Sequence, residues 1–185
     1  MAAPRILAGS AKGRALETPA RGTRPTPARL RAALFDALQG LAGGTFLDLY
    51  AGSGAVGLEA ASRGFDATLV ERDAGAAQLA RRNARRLGLD ARVVRADALS
   101  FLRQSSAPYD VVYVDPPYDQ DLPAIFAAVV AARPVAPGGR YLLQHPTTLD
   151  PRPRVEEALA ASGITAKRVT TRRYGSNSLL VIDVR

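Results

Sequence analysis

The chain has 185 residues, of which 47% are hydrophobic and 23% charged, a balance that is ordinary for a single soluble domain. It has no apolar run near the roughly 20 residues that span a bilayer, and it begins without a signal-like segment, so we expect a cytoplasmic protein and no membrane partner. The absence of cysteine excludes disulfides, thiolate nucleophiles and thiolate metal sites, and we expect no metal.

The net charge of +8 is concentrated at the two ends of the chain. Residues 1–31 carry seven basic side chains and one acidic one (+6), residues 164–185 carry five and one (+4), and the middle therefore carries −2. Charge that serves solubility alone, which is the alternative interpretation, has no reason to avoid the middle. We therefore expect the two ends to bind the phosphates of a nucleic acid.

The first segment of the chain has the pattern of a basic β-hairpin. The runs Arg5–Leu7 and Arg14–Leu16 flank a turn-like segment at Gly9–Gly13. We predict a basic N-terminal flap over residues 1–22 and one folded domain over residues 23–185.

The segment after the flap predicts an amphipathic helix. Apolar residues recur at helical spacing over Pro27–Leu38, with Thr26 as a possible N-cap and Pro27 in the first turn. Further helices are predicted over Ala55–Arg63, Ala74–Leu87, Ala98–Gln104, Leu122–Ala132 and Arg152–Ala161.

Strand-like runs alternate with these helices from Thr45 onward. The predicted strands are Thr45–Tyr50, Ala67–Glu71, Ala91–Arg95, Val111–Val114, Arg140–Gln144, Ile164–Thr170 and Ser178–Val184. The alternation predicts an α/β fold with a Rossmann-like, doubly wound, mostly parallel sheet of seven strands. The basic N-terminal β-hairpin is then a small extension of this fold.

The first predicted strand ends in a Gly-x-Gly-x-x-Gly turn formed by Gly52, Gly54 and Gly57, and the turn leads into a helix. Glycines let the backbone approach a ligand closely, and the start of the helix offers N–H groups to an anion. Glu71 ends the second strand 19 residues after Gly52, where a carboxylate can accept both ribose hydroxyls. The pattern fits NAD, FAD and S-adenosylmethionine equally well.

Two further acids lie close to strand ends. Asp97 follows the third strand, where it can accept a hydrogen bond from an adenine amino group or cap the helix that follows. Asp48 lies in the first strand and can face the ammonium group of a cofactor or bond the glycine turn. For each acid, both roles stay open.

The fourth predicted strand runs directly into Asp115-Pro116-Pro117-Tyr118. An exocyclic amine is a weak nucleophile because its lone pair is delocalised, so a site that methylates it must accept its hydrogen bonds. Asp115 and the Pro116 carbonyl can supply two acceptors, the prolines fix the backbone, and Tyr118 can stack on an extruded base.

The Asp-Pro-Pro-aromatic motif resembles the signature of methyltransferases that act on the amino groups of adenine, cytosine and guanine. The resemblance selects S-adenosylmethionine among the three possible cofactors. The lack of cysteine also excludes the thiolate route by which ring carbon 5 of pyrimidines is methylated.

Nearly the whole chain resembles the bacterial small-subunit ribosomal RNA guanine-N2 methyltransferase family. The matching segments are the opening Arg5-Ile6-Leu7-Ala8-Gly9 with Lys12-Gly13-Arg14, Arg24-Pro25-Thr26 with the helix after it, the glycine turn, and the Asp115 motif. The resemblance implies that Arg24 and Thr26 border the cofactor and the target base and that the flap holds RNA. It also implies ribosomal RNA or the small ribosomal subunit as partner, and we expect a monomer.

The candidate residues form three groups. The catalytic candidates are Asp115, Pro116, Pro117 and Tyr118. The cofactor-binding candidates are Thr26, Asp48, Ala51, Gly52, Ser53, Gly54, Glu71, Arg72, Asp97 and Ala98. The RNA-binding candidates are Arg5, Lys12, Arg14, Arg24 and Arg29. The predicted function is 16S rRNA (guanine-N2)-methyltransferase, and the alternatives are an adenine-N6 methyltransferase on RNA or DNA and a non-catalytic nucleic-acid-binding protein.

Overall fold

The computed structural model describes residues 3–19, 26–41, 43–105 and 107–185. The chain divides into two compact units, Met1–Ala98 and Leu99–Arg185. Among the described residues, no helix combines the length and the apolar character that crossing a membrane requires.

The first unit is built on parallel strands. Its strands are β1 (Thr45–Leu49), β2 (Asp66–Glu71) and β3 (Ala91–Arg95), and its helices are α1 (Ala28–Asp36), α2 (Ala55–Ser62) and α3 (Ala74–Leu87). β2 pairs in parallel with β1 on one side and with β3 on the other. Most side chains of β1 and β2 are buried, as expected for parallel strands that are covered on both faces.

The second unit combines a parallel strand pair with an antiparallel hairpin. In chain order, α4 (Ala98–Gln104) is followed by β4 (Tyr109–Val114), α5 (Leu122–Ala131), β5 (Val135–Pro146), α6 (Arg152–Ala161), β6 (Ala166–Tyr174) and β7 (Asn177–Val184). β4 and β5 are parallel, whereas β7 runs antiparallel to both β5 and β6.

The seven strands form one mixed sheet in the order β3-β2-β1-β4-β5-β7-β6. The predicted α/β class and the predicted number of strands are therefore confirmed. The sheet is mostly parallel, and its antiparallel strands come from the end of the chain.

Several predicted boundaries are wrong. The fifth strand begins at Val135 and not at Arg140, and the fourth begins at Tyr109 and not at Val111. The first helix begins at Ala28 with Pro27, not Thr26, as its N-cap, because Pro27 has ψ 144° and is still extended. The sixth strand is displaced toward the C-terminus relative to Ile164–Thr170, because β6 pairs with β7 as far as Tyr174. Pairing across the tight turn that contains Gly175, with φ +62°, sets this boundary.

The N-terminal hairpin is present in a short form. A single antiparallel bridge joins Arg5 and Ala15. Ile6 and Leu16, which neighbour the bridge, are each 1% exposed. The hairpin therefore contributes apolar side chains to the core as well as basic side chains to the surface.

Buried polar groups anchor the hairpin to α1 and α2. Glu59 of α2 accepts hydrogen bonds from the N–H groups of Leu7 and Ala8, at 2.7 and 3.0 Å. Arg31 of α1 lies 3.7 Å from the Glu59 carboxylate and donates to the Arg5 carbonyl oxygen at 2.9 Å. Glu59 and Arg31 are both fully buried, so each charge has a partner in the low-dielectric interior.

Candidate active site

The turn between β1 and α2 leaves room for a ligand. The Gly54 N–H donates to the Ala51 carbonyl oxygen at 2.9 Å and closes the turn. Gly52 and Gly54 have φ +55° and +90°, values that favour glycine. A Cβ built on Gly52 would meet no atom within 4 Å. The backbone at this position therefore borders open space, beside a helix N-terminus that favours negative charge.

Gly57 and Asp48 serve the packing of α2. A Cβ on Gly57 would lie 2.4 Å from a side-chain carbon of Leu69, so only glycine lets α2 approach β2 this closely. Asp48 is buried, and its Oδ2 accepts a hydrogen bond from the Gly57 N–H at 2.8 Å. This contact is the structural one of the two roles considered for Asp48, and a role toward a cofactor stays a prediction.

Glu71 holds the glycine turn from the end of β2. Its Oε2 accepts a hydrogen bond from the Gly52 N–H and its Oε1 accepts one from the Asp73 N–H, both at 2.8 Å. A carboxylate offers about four lone-pair sites, so these two bonds leave capacity for the hydroxyls of a ribose. The backbone fixes the carboxylate beside open space, and the residues present therefore fit the expected cofactor.

Tyr50 follows β1 in an uncommon backbone conformation. It has φ +66°, a left-handed conformation that is uncommon and costly for residues other than glycine. Burial raises the pKa of its hydroxyl, the charge of Asp97 raises this pKa further, and the charge of Arg72 lowers it. Asp97 and Arg72 must therefore lie near Tyr50. Tyr50 was not predicted as a site residue, because no residue pattern marks a left-handed tyrosine.

The segment after β4 presents an exposed aromatic ring. Pro116 is buried, Pro117 is exposed, and the Pro117 carbonyl oxygen accepts a hydrogen bond from the Gln120 N–H at 3.3 Å. Tyr118 is 45% exposed, whereas the other large apolar side chains of the described residues are more buried. An exposed ring of this kind is available for stacking.

A network of side chains holds Asp115 and Tyr118. The Tyr113 hydroxyl donates to Asp115 Oδ2 at 3.2 Å and is hydrogen-bonded to the side-chain amide of Gln144. Gln144 Nε2 donates to the Tyr118 hydroxyl at 3.1 Å, and this hydroxyl donates to Asn177 Oδ1 at 2.8 Å. Burial raises the pKa of Tyr118, which keeps its hydroxyl protonated. The hydroxyl end of Tyr118 is thus fixed.

Tyr113 and Gln144 are site residues that no sequence pattern predicted. Gln144 bonds partners that lie 26 and 31 residues away in the chain, and no local pattern reports such pairs. One feature of the sequence could have indicated Gln144, because it is a glutamine inside the buried apolar run of β5. A buried polar side chain is normally hydrogen-bonded, so a partner was to be expected. In the described part of the chain, no three His, Cys, Asp or Glu side chains are grouped as metal ligands would be.

The structure describes four of the predicted RNA-binding side chains, and all four are exposed: Arg5, Lys12, Arg14 and Arg29. Arg24 lies outside the described residues. Arg5 donates to a carbonyl oxygen within the hairpin and Arg14 to one at the end of α3, both at 2.7 Å. Among the cofactor candidates, Thr26 is half-buried just before α1 and Ala98 is buried at the start of α4.

The model of the family described as Conserved hypothetical protein 95 matches residues 4–181 of this sequence. The chain belongs to this family. It is 43% identical over 122 residues to ribosomal RNA small subunit methyltransferase D of Escherichia coli K12, a match that covers 64% of this chain. The same match covers only 62% of the Escherichia coli protein. The resemblance to a family of ribosomal RNA methyltransferases is confirmed.

Solved structures agree with this assignment. The Thermus thermophilus protein TTHA0928 is 43% identical, with a TM-score of 0.85 and coverage of 98% of this chain and 99% of that one. The Thermus thermophilus 16S rRNA N2 methyltransferase RsmC, solved with AdoMet and guanosine, is 25% identical with a TM-score of 0.71. That alignment covers 90% of this chain and 44% of RsmC. The relatives that carry a functional name are thus methyltransferases, and one of them was solved with AdoMet.

Proposed function

We propose that this protein transfers a methyl group from S-adenosylmethionine to the N2 amine of a guanine in 16S ribosomal RNA. The names of two similar proteins support the polymer and the base. The Escherichia coli relative is named for the small-subunit ribosomal RNA, and RsmC is named for N2 methylation and was solved with guanosine.

The observation that carries the proposal is the arrangement of Asp115 and Tyr118, which are linked through other side chains. Both side chains belong to one hydrogen-bonded network, and the ring of Tyr118 is exposed while its hydroxyl is held. A flipped base can stack on such a ring and direct its amine toward a fixed carboxylate. Stacking contributes about 1–3 kcal/mol per base, which offsets much of the cost of extruding the base.

In this proposal Asp115 acts on the amine itself. Its carboxylate accepts an N–H hydrogen bond, favours the pyramidal nitrogen, and stabilises the positive charge that develops there during methyl transfer. The surplus proton of the methylated nitrogen then passes to Asp115 or to water. Tyr113 keeps the carboxylate oriented, so little reorganisation is needed at the moment of reaction.

The cofactor would be held by the first unit. Glu71 would accept the ribose hydroxyls, the open turn at Gly52 would admit the cofactor close to the backbone, and Asp97 would bind the adenine amino group. When bound, S-adenosylmethionine supplies an electrophilic methyl group whose sulfur leaves as a neutral thioether, so the reaction needs no covalent nucleophile from the protein.

The flap would contact the phosphates of the RNA. The exposed Lys12 lies in the turn of the hairpin, and Arg29 is exposed in α1. Such contacts add affinity that does not depend on base sequence and that falls with increasing salt. Arg24 and the basic residues of the C-terminal segment are further candidates for this surface.

Methyl transfer from labelled S-adenosylmethionine to 16S rRNA and to isolated small ribosomal subunits tests the proposal, once the RNA is digested and the modified nucleoside is identified. We expect N2-methylguanosine in at least one of the two substrates. N6-methyladenosine would replace the proposed base specificity by the adenine alternative. Failure to bind S-adenosylmethionine in isothermal titration would favour the non-catalytic alternative. An Asp115→Asn variant serves as the control, because it keeps the shape of the side chain and removes its charge.

A further inference from the structure

Asn83 of α3 links the N-terminal hairpin to the glycine turn. Its Nδ2 donates to the carbonyl oxygens of Glu17 and Ser53, at 3.0 and 3.2 Å. Its Oδ1 accepts a hydrogen bond from the Glu17 N–H at 2.9 Å. Asn83 is fully buried. One side chain therefore joins the segment that leaves the hairpin to the turn that borders the candidate cofactor site.

The partners of Asn83 admit only one orientation of its amide. Two carbonyl oxygens require donors and one N–H requires an acceptor, which matches the two N–H groups and the oxygen of an asparagine side chain. A flipped amide would place Oδ1 against two carbonyl oxygens inside the protein. An aspartate would meet the same conflict, and an alanine would leave part-buried backbone groups without these bonds. The position therefore depends on asparagine itself.

Asn83 also sets the conformation of the glycine turn. The peptide between Ser53 and Gly54 has its carbonyl oxygen bonded by Asn83 and its N–H bonded to the Ala51 carbonyl oxygen. With both sides of this peptide held, the backbone that borders the open space at Gly52 has little freedom. The Glu17 backbone is fixed as well, because Asn83 bonds both the N–H and the carbonyl oxygen of Glu17.

The segment around Glu17 is further tied to α3 by charged side chains. Glu17 forms ion pairs with Arg82 and Arg86, at 3.7 and 3.3 Å, and Arg14 donates to the carbonyl oxygens of Arg86 and Leu87. These contacts lie on the surface or near it, where ion pairs contribute little stability. Asn83 differs from them because it is buried and because it also reaches the glycine turn.

We propose that Asn83 is a positioning residue that couples RNA binding at the flap to cofactor binding at the glycine turn. The inference rests on the proposed function, which gives the flap its role in binding RNA. RNA that orders the hairpin would hold the Glu17 backbone against Asn83, and Asn83 would hold the turn in the conformation that receives the cofactor. The coupling is reciprocal, so bound cofactor must increase the affinity for RNA by the same factor.

The coupling is measured as a ratio of affinities. The Kd of S-adenosylhomocysteine, which cannot donate a methyl group, is determined with and without 16S rRNA and with and without isolated small ribosomal subunits. For the wild type we expect the Kd of S-adenosylhomocysteine to fall about 5-fold or more when the RNA substrate that is methylated faster is present. For Asn83→Ala we expect the Kd of S-adenosylhomocysteine to be nearly the same with and without RNA, so that the ratio of the two Kd values is close to one.

Ser62→Ala is the matched control. The Ser62 hydroxyl accepts from the Ala11 N–H at 3.0 Å and donates to the Ala8 carbonyl oxygen at 2.6 Å, so this variant loosens the hairpin at another point. We expect it to keep the wild-type ratio. The coupling role of Asn83 is overturned if Asn83→Ala keeps the wild-type ratio, or if both variants lose it equally.

Hydrogen exchange in the wild-type protein gives a second test, which needs no mutant protein. The Glu17 amide should exchange more slowly when S-adenosylhomocysteine is bound, because the ordered turn strengthens the bridge through Asn83. An unchanged Glu17 amide in a saturated complex would contradict the coupling alone. A protein that neither binds S-adenosylhomocysteine nor methylates RNA would instead overturn the proposed function, and the coupling with it.

Discussion

The glycine turn of the first unit and the Asp115 segment of the second unit are positioned by different kinds of contact. In the first, carboxylates bond backbone N–H groups, as Glu71 does to Gly52 and Asp48 does to Gly57. In the second, the contacts run from side chain to side chain, from Asp115 through the network to Tyr118.

This difference suggests two kinds of sensitivity to mutation. Where the backbone carries the geometry, a substitution away from the glycines leaves the turn in place, and the important side chains are the few carboxylates and Asn83. Where side chains carry the geometry, each member of the network positions the next, so its loss is transmitted. We therefore expect variants of the first region to change cofactor affinity and variants of the second to change turnover or the KM for RNA.

Asp115→Ala should produce the largest effect. Removal of the acceptor should slow methyl transfer by about 100-fold or more, the size seen when one stabilising group is lost from a preorganised site. The Kd of S-adenosylmethionine should stay within about 2-fold of the wild type. Single-turnover rates and isothermal titration measure the two quantities. Asp119→Ala, an exposed acid four residues further on, is the control and should behave as the wild type. Full turnover by Asp115→Ala would refute its assigned role.

Glu71→Ala should weaken cofactor binding by about 10- to 100-fold, because hydrogen bonds to a charged group contribute about 1.5–3 kcal/mol each. The rate at saturating cofactor should change much less. Isothermal titration with S-adenosylhomocysteine checks the affinity, and the exposed Glu156→Ala controls for the loss of one negative charge. An unchanged affinity would remove Glu71 from the cofactor site.

Two substitutions of Tyr118 distinguish the role of its ring from that of its hydroxyl. Tyr118→Ala removes the stacking surface and should raise the KM for RNA by about 5- to 100-fold, in line with about 1–3 kcal/mol for stacking. Tyr118→Phe keeps the ring but loses the bonds to Gln144 and Asn177, so we expect a smaller loss. Steady-state kinetics with 16S rRNA separate the two variants. Equal defects would show that the hydroxyl, and not the ring, is what matters.

Tyr113→Phe should have the smallest effect. It keeps the buried ring and removes only the hydroxyl, which bonds both Asp115 and Gln144, and the loss of such bonds costs about 1 kcal/mol each, or about 5-fold in rate. The change should appear in kcat and leave the KM for RNA nearly unaltered. A shift in KM alone would mean that Tyr113 supports RNA binding and not the orientation of Asp115.

Sequence periodicity was sufficient to predict most of the fold. All seven strands were expected, and the helices Ala74–Leu87, Ala98–Gln104 and Arg152–Ala161 have the predicted bounds, because buried strands and helices of this kind carry clear patterns of apolar residues. The end of β6 was not predictable in this way, since pairing with β7 determines it.

The candidate site was predictable only in part. The glycine turn and Glu71 follow each other at a spacing that local geometry imposes, and the structure brings them into contact. Asn83 bonds residues 30 and 66 positions away, and Gln144 bonds Tyr118 across 26 positions. Contacts of this range arise from the tertiary fold, so the sequence pattern contains no record of them.

A crystal structure of the protein with S-adenosylhomocysteine and guanosine would test the central claim most directly. We predict that the guanine ring stacks on Tyr118 and that its N2 amine donates a hydrogen bond to the Asp115 carboxylate. Guanosine bound away from Tyr118, or with its amine turned away from Asp115, would contradict the proposed chemistry.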